Sequence, residues 1–217
     1  SRFHQSVAIL AQAHVGWMPA LRGIAIGAVL WLVLRQLTWE PNMLPSLIVF
    51  DLDACLWSPE MYQLHSPPTE YCSKRGGVVA GRQTVRLYPG AEAVLQKLAS
   101  DPAYSGVHIA VASSTTEPAF ANKCLDSFPL SGSKSTVGEL VGFRQIFYGS
   151  KGTKHFPNLK DETGIPYDQM IFFDDCTYGD NCANVASHCP GVTCVRTPHG
   201  LTEEDFELGL AAFAAGK

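Results

Sequence analysis

Short apolar runs alternate with helical patterns along most of this chain, and few architectures accept that arrangement. Leu47–Phe50 (LIVF) and residues 107–112 (VHIAVA), 143–148 (FRQIFY), 170–173 (MIFF) and 192–196 (VTCVR) read as five strands. Runs of this length, rich in Val, Ile and Phe, suit strands buried in a parallel sheet better than helices. Pro89 opens an amphipathic helix through Val94, Leu95 and Leu98, with proline where a first-turn N–H is not needed. Further helices are expected over residues 119–128, from about residue 154, and over 202–214. In the last of these, Thr202, Glu203, Glu204 and Asp205 suit the positive N-terminal end. Strand and helix alternation of this kind implies right-handed crossovers. The expected fold is therefore α/β, a doubly wound, Rossmann-like parallel sheet with helices on both faces. Residues 131–138 (SGSKSTVG) read as a polar, mobile loop.

The N-terminal stretch does not follow this pattern. Residues 1–43 form an apolar, weakly basic leader, and the sheet-forming domain is expected over 44–217. The first 39 residues hold Arg2, Arg22 and Arg35 and no acid. Residues 23–34 (GIAIGAVLWLVL) are uncharged but shorter than the roughly 20 apolar residues that a spanning helix needs. Two readings stay open. Residues 1–37 are a targeting or anchoring segment, with membrane contact through the leader, or they form a helix packed on the domain or a partner. Residues 38–45 (TWEPNMLP), with two prolines, read as the linker.

Composition removes other classes. A hydrophobic content of 46% excludes a disordered chain, and a net charge of −4 argues against a dedicated nucleic-acid binder. The seven cysteines form no C-x-x-C pair, and Cys176, Cys182, Cys189 and Cys194 do not fall at zinc spacing. They read as reduced, mostly buried thiols, which points to a reducing interior compartment, cytoplasm or organelle.

In an open parallel sheet, ligands bind beyond the carboxyl ends of the strands. The first strand here ends in Asp51-Leu52-Asp53, the second in Ser113-Ser114-Thr115-Thr116, the third in Gly149-Ser150-Lys151 and the fourth in Asp174-Asp175. Asp51 and Asp53, two apart, point to one side while the backbone stays extended. One carboxylate could attack an electrophile while the other holds or delivers a proton. Two acidic pairs facing each other repel unless a cation lies between them or protons are shared. Oxygen donors without His select magnesium over zinc. The Ser/Thr run offers donors for a phosphate, and Lys151 a point charge, a role for which Lys154 and Lys160 compete. Together these groups suit phosphoryl transfer through an aspartyl phosphate.

At this point the chain resembles the haloacid dehalogenase-like phosphohydrolases, whose four motifs occur in order as Asp51-Leu52-Asp53, Ser113, Lys151 and Asp174-Asp175. The blocks LPSLIVFDLDACLW, VRLYPGAEAVLQKL, AVASSTTE, YGSKGTKHF, TGIPYDQMIFFDD and GVTCV narrow this to the magnesium-dependent phosphatase 1 family, over roughly residues 44–214. The resemblance implies an acid phosphatase without a large cap domain, in which residues 58–86 form a short flap insert beside an open site. It makes Asp51 the nucleophile and Asp53 the general acid and base. Leu52, Ser113, Ser114 and Lys151 would bind the phosphoryl group. Asp51, the backbone carbonyl of Asp53, and Asp175 would ligate magnesium, supported by Asp174. It further implies substrates such as a phosphotyrosine protein or a small-molecule phosphate ester, for example a sugar phosphate.

Four features depart from the family pattern. Cys55 stands where a hydroxyl residue is usual, and Ser114 where arginine is usual. One residue is added between Lys151 and His155, and a longer segment follows Asp175. Two rivals remain. A phosphorelay receiver gathers similar groups, but its acidic pair ends the first strand and its lysine comes last, the reverse of the order here. A catalytically inert interaction module would not need all four motifs intact.

Overall fold

The computed structural model describes residues 43–131 and 134–216. The leader expected over 1–43 lies almost wholly outside the described residues, as does part of the 131–138 loop.

The chain enters through β1 (Leu47–Phe50) and passes into an insert. There β2 (Trp57–Ser58), β3 (Tyr71–Cys72), β4 (Gly77–Ala80) and β5 (Gln83–Leu87) form an antiparallel sheet in the order β2-β5-β4-β3. α1 (Pro89–Ser100), β6 (His108–Ser113), α2 (Pro118–Ser127), α3 (Val137–Leu140) and β7 (Phe143–Ile146) follow. A π turn at Lys151–His155 leads into α4 (Phe156–Thr163). The chain closes with β8 (Met170–Asp174), α5 (Asn181–His188), β9 (Thr193–Arg196) and α6 (Glu203–Ala215). The main sheet runs β7-β6-β1-β8-β9 with every pairing parallel, the doubly wound topology expected.

β1 and β8 are buried along their whole length, so each feeds two cores by simple alternation. Ile48, Phe50, Ile171 and Phe173 pack on one face with Val94 and Leu95 of α1 and Phe206 and Leu210 of α6. Leu47, Val49, Met170 and Phe172 pack on the other with Phe156 and Leu159 of α4 and Val185 of α5. Strand order fixes where a site can form. From β1 the chain steps outward to β6 and β7, then returns to lay β8 on the other side of β1. That reversal opens a crevice above β1, β6 and β8.

Several details differ from expectation. The insert is a sheet that packs into the core through Trp57, Met61, Val78, Ala80 and Val85, all buried. The loop begun at residue 131 ends early, because Thr136 and Glu139 form a reciprocal capping box that starts α3. Helix α5 falls in the long segment after Asp175 and is opened by the Asp180 side chain accepting from the Ala183 N–H. The seven cysteines are all free thiols, and Cys55, Cys124, Cys182 and Cys189 are buried. Among the described residues no helix is long and apolar enough to cross a membrane.

Candidate active site

The last ladder bond of β1 runs from the Asp51 N–H to the Phe173 carbonyl, at 2.9 Å. The chain then curls at once. The Leu52 carbonyl accepts from the N–H groups of Leu56 and Trp57, and Ala54 takes a left-handed φ of 59°. For a residue with a Cβ this conformation is uncommon and costs roughly 1–3 kcal/mol. The same device follows the second acidic pair, where Cys176 has φ 57°. These turns aim Asp51 and Asp53, and across from them Asp175, into one cleft.

Asp51, Asp174 and Asp175 each place a carboxylate oxygen within 4.8 Å of the others. Lys151 Nζ lies 2.6 Å from Asp51 Oδ1 and 2.5 Å from Asp174 Oδ2, and the lysine is only 2% exposed. Burial pulls the Lys151 ammonium down, but the two carboxylates outweigh it and the net shift is upward. Burial lifts the Asp51 carboxyl well above the usual carboxylate range, and contact with Lys151 offsets this only in part. Asp174 is fully buried and accepts from the Cys176 N–H at 2.8 Å and from Asn181 Nδ2 at 3.1 Å. Asp175 faces the cleft, one oxygen taking the Thr177 N–H at 2.8 Å. Three converging carboxylates with no nitrogen or sulfur donor among them fit a hard divalent cation such as magnesium.

Asp53 is held differently. Trp57 Nε1 donates to its Oδ1 at 2.7 Å, and the Met61 N–H donates to its Oδ2 at 3.1 Å. Burial raises its pKa, with the Trp57 and Met61 bonds pulling the other way. The Trp57 ring is fixed in turn by stacking on Phe128, centroids 6.0 Å apart.

Opposite the acids stand Ser113, Ser114, Thr115 and Thr116 beyond β6, with Gly149, Ser150 and Lys151 beyond β7. His155 joins these loops. It is fully buried, stacks on Phe147, and sets Nε2 3.2 Å from the Ser113 carbonyl and 3.0 Å from the Phe147 carbonyl. Its Nδ1 is 3.3 Å from the Ser150 carbonyl. Asn184 on α5 braces the π turn by accepting from the Gly152 N–H at 2.8 Å. The cleft has a volume of about 680 Å³. Its outer wall is formed by Glu60, Tyr62, Tyr148 and Tyr178.

The structure thus brings Asp51, Asp53, Ser113, Ser114, Lys151 and Asp175 to one cleft. Asp174 sits behind it, and the Leu52 side chain is buried in the core. Lys154 and Lys160 are exposed, and Lys160 lies over the Tyr167 ring, so only Lys151 of the three reaches the site. The Cys55 thiol donates to the Phe173 carbonyl at 3.6 Å and accepts from Thr197 Oγ1 at 3.4 Å, so it ties β8 to the segment after β9. Ser114 accepts from the Gly149 N–H at 3.2 Å, closing the gap between two phosphate-side loops. Sequence reasoning missed Trp57, Asn181, Asn184 and His155, and also the Glu60–Tyr62–Tyr178 wall.

A family model described as acid phosphatase matches residues 43–216. The chain is 41% identical over 172 residues to Magnesium-dependent phosphatase 1 of Homo sapiens, covering 79% of this chain and 88% of that protein. A HAD-like hydrolase superfamily protein of Schizosaccharomyces pombe is 32% identical over 136 residues, covering 60% of this chain and 76% of that one. Among solved structures, a Bacteroides fragilis protein's N-terminal part, containing a phosphatase domain and complexed with Mg, aligns at TM-score 0.52. That likeness, at 18% identity over 88% of this chain and 43% of the other, speaks for the fold alone.

Proposed function

Because the chain belongs to the acid phosphatase family, we propose that it hydrolyses phosphate monoesters through an aspartyl phosphate formed on Asp51. It is a magnesium-dependent phosphatase of the haloacid dehalogenase-like superfamily, with no large cap domain among the described residues. The observation that carries the proposal is the pairing at the end of β1. Asp51 and Asp53 enter one cleft from the same strand, yet Asp51 is bound to a buried lysine and Asp53 to two N–H donors of the insert.

Asp51 is the group placed to attack phosphorus, with the phosphoryl oxygens received by Ser113, by backbone N–H groups near Leu52 and Ser114, and by Lys151. Asp53 delivers a proton to the leaving oxygen as the ester P–O bond breaks. It then takes the proton of the water that attacks phosphorus and frees Asp51, so one side chain serves both half-reactions. Asp51, Asp175 and the backbone carbonyl of Asp53 would hold magnesium, with Asp174 keeping Lys151 and the turn at Cys176 in place. When bound, the ion supplies positive charge to the phosphoryl oxygens. Phosphotyrosine and small sugar phosphates are the proposed substrates.

The test is Asp51→Asn. The amide keeps the shape but is a poor nucleophile, so turnover of para-nitrophenyl phosphate with magnesium should fall by about 10³-fold or more, as is typical when a covalent nucleophile is removed. Acid-quenched wild-type enzyme given radiolabelled substrate should retain base-labile label on Asp51. A variant keeping a tenth of wild-type activity, or label on another residue, overturns the assignment.

A further inference from the structure

The outer wall of the cleft is not used by the chemistry above. Tyr62, in the insert, and Tyr178, beyond β8, meet edge to face with centroids 6.3 Å apart, and their hydroxyls are 2.7 Å from each other. Tyr178 donates onward to Glu60 Oε1 at 3.4 Å, and Gln63 Nε2 donates to the Tyr62 hydroxyl at 3.3 Å. The bonds therefore run in one direction and end on the Glu60 carboxylate. Tyr148, following β7, stands across the sheet from this pair, because β6 and β1 separate its loop from that of Tyr178. All three rings are exposed, Tyr148 at 77% and Tyr178 at 68%, although they flank a cleft.

The charge around this wall has one sign. The side chains lining the cleft include the carboxylates of Asp51, Asp53, Glu60 and Asp175, whereas Lys151 is the one lysine or arginine among them. Lys151 is already engaged by Asp51 and Asp174. A leaving group bearing a carboxylate or a second phosphate would meet Glu60 with no lysine or arginine beside it in the wall. Flat rings edged by a carboxylate suit a ring-bearing group that is neutral or positively charged.

We infer that Glu60, Tyr62 and Tyr178 form a leaving-group subsite that selects phosphate monoesters of uncharged or cationic ring-bearing alcohols and phenols and rejects anionic ones. This rests on the phosphatase reading of the same cleft, and it names Glu60 as the specificity-determining charge.

Three aryl phosphates of matched shape test it: 4-ethylphenyl, 4-(2-aminoethyl)phenyl and 4-(2-carboxyethyl)phenyl phosphate. In the full chain with magnesium at low salt, kcat/KM should fall by about tenfold from the amino to the carboxy compound, as expected for a single charge near a surface carboxylate. Glu60→Gln should shrink that ratio to about twofold, chiefly by improving the carboxy compound, and 1 M salt should shrink it in the wild type by screening. Tyr178→Phe, which removes a donor but leaves the Glu60 charge in place, should keep the ratio near the wild-type value. A ratio unchanged by Glu60→Gln, or insensitive to salt, overturns the inference. Turnover of the ethyl compound with a flat series overturns it while leaving the phosphatase reading intact. No turnover of the ethyl compound overturns both.

Discussion

Both oxygens of Asp53 are held by the antiparallel insert rather than by the parallel sheet, and this bears on when the side chain acts. Trp57 and Met61 occupy one acceptor direction on each oxygen, leaving the others for a leaving oxygen or a water. Asp53→Asn removes the proton donor while keeping the packing. On a sugar phosphate, whose alkoxide needs a proton to depart, kcat/KM should fall by about 10²–10⁴-fold, the usual worth of general acid catalysis. On para-nitrophenyl phosphate, which departs readily as an anion, the loss should be visibly smaller. Equal losses on both, with phosphorylation limiting that constant, would show that Asp53 serves only the metal or the fold. At this scale the sequence was informative about the acids, the serines and Lys151, because each sits at the end of an apolar run. It was silent on Trp57, Asn181 and His155, whose roles arise from neighbours. His155 becomes a brace only when the carbonyls of Ser113, Phe147 and Ser150 converge on its ring.

The π turn at Lys151–His155 is the element that sets the lysine's position. Lys151 opens the turn and reaches Asp51 and Asp174, and Gly152 lies against α5. A Cβ added at Gly152 would lie 2.6 Å from the Asn184 carbonyl oxygen, a backbone atom that cannot step aside. Gly152→Ala should therefore cost about 1–3 kcal/mol, as overpacking does, read as a lower Tm. It should also reduce kcat, because the shift passes directly to Lys151. Unchanged Tm and kcat would show that α5 yields freely. The π turn was not legible in the sequence, since the apolar period of α4 begins only at Phe156. The strands of the insert were hidden for a related reason. β2 and β3 are two residues each, too short to show alternation, and only their pairing with β5 and β4 makes them strands.

On the scale of the whole molecule, the described strands, their two cores and the cleft lie within residues 43–216. We propose that residues 44–217 are the phosphatase domain and that the leader serves targeting or anchoring through residues 1–37. A chain starting at Met43 should then fold and keep the kcat and KM of the full chain, and failure to fold would assign the leader to the core. Magnesium should raise the Tm of either chain, because an ion that binds only the folded carboxylate cluster stabilises it, by about 2.7 kcal/mol at a hundredfold excess over Kd. Asp175→Asn should abolish most of that shift, measured with and without EDTA. An equal shift in the variant would place the stabilising ion elsewhere.

The chain has four tryptophans, at positions 17, 31, 39 and 57, so a chain starting at Met43 keeps only Trp57. That indole is fully buried, and its N–H is bonded to Asp53. The shortened protein therefore contains a single tryptophan, excitable apart from its seven tyrosines at long wavelength and bonded to the proposed acid. Its emission is expected at the blue end of the indole range, with an intensity that follows the state of one carboxylate. Stopped-flow mixing with magnesium and vanadate or another phosphate mimic would then time events at Asp53 directly, with no label attached and no product formed.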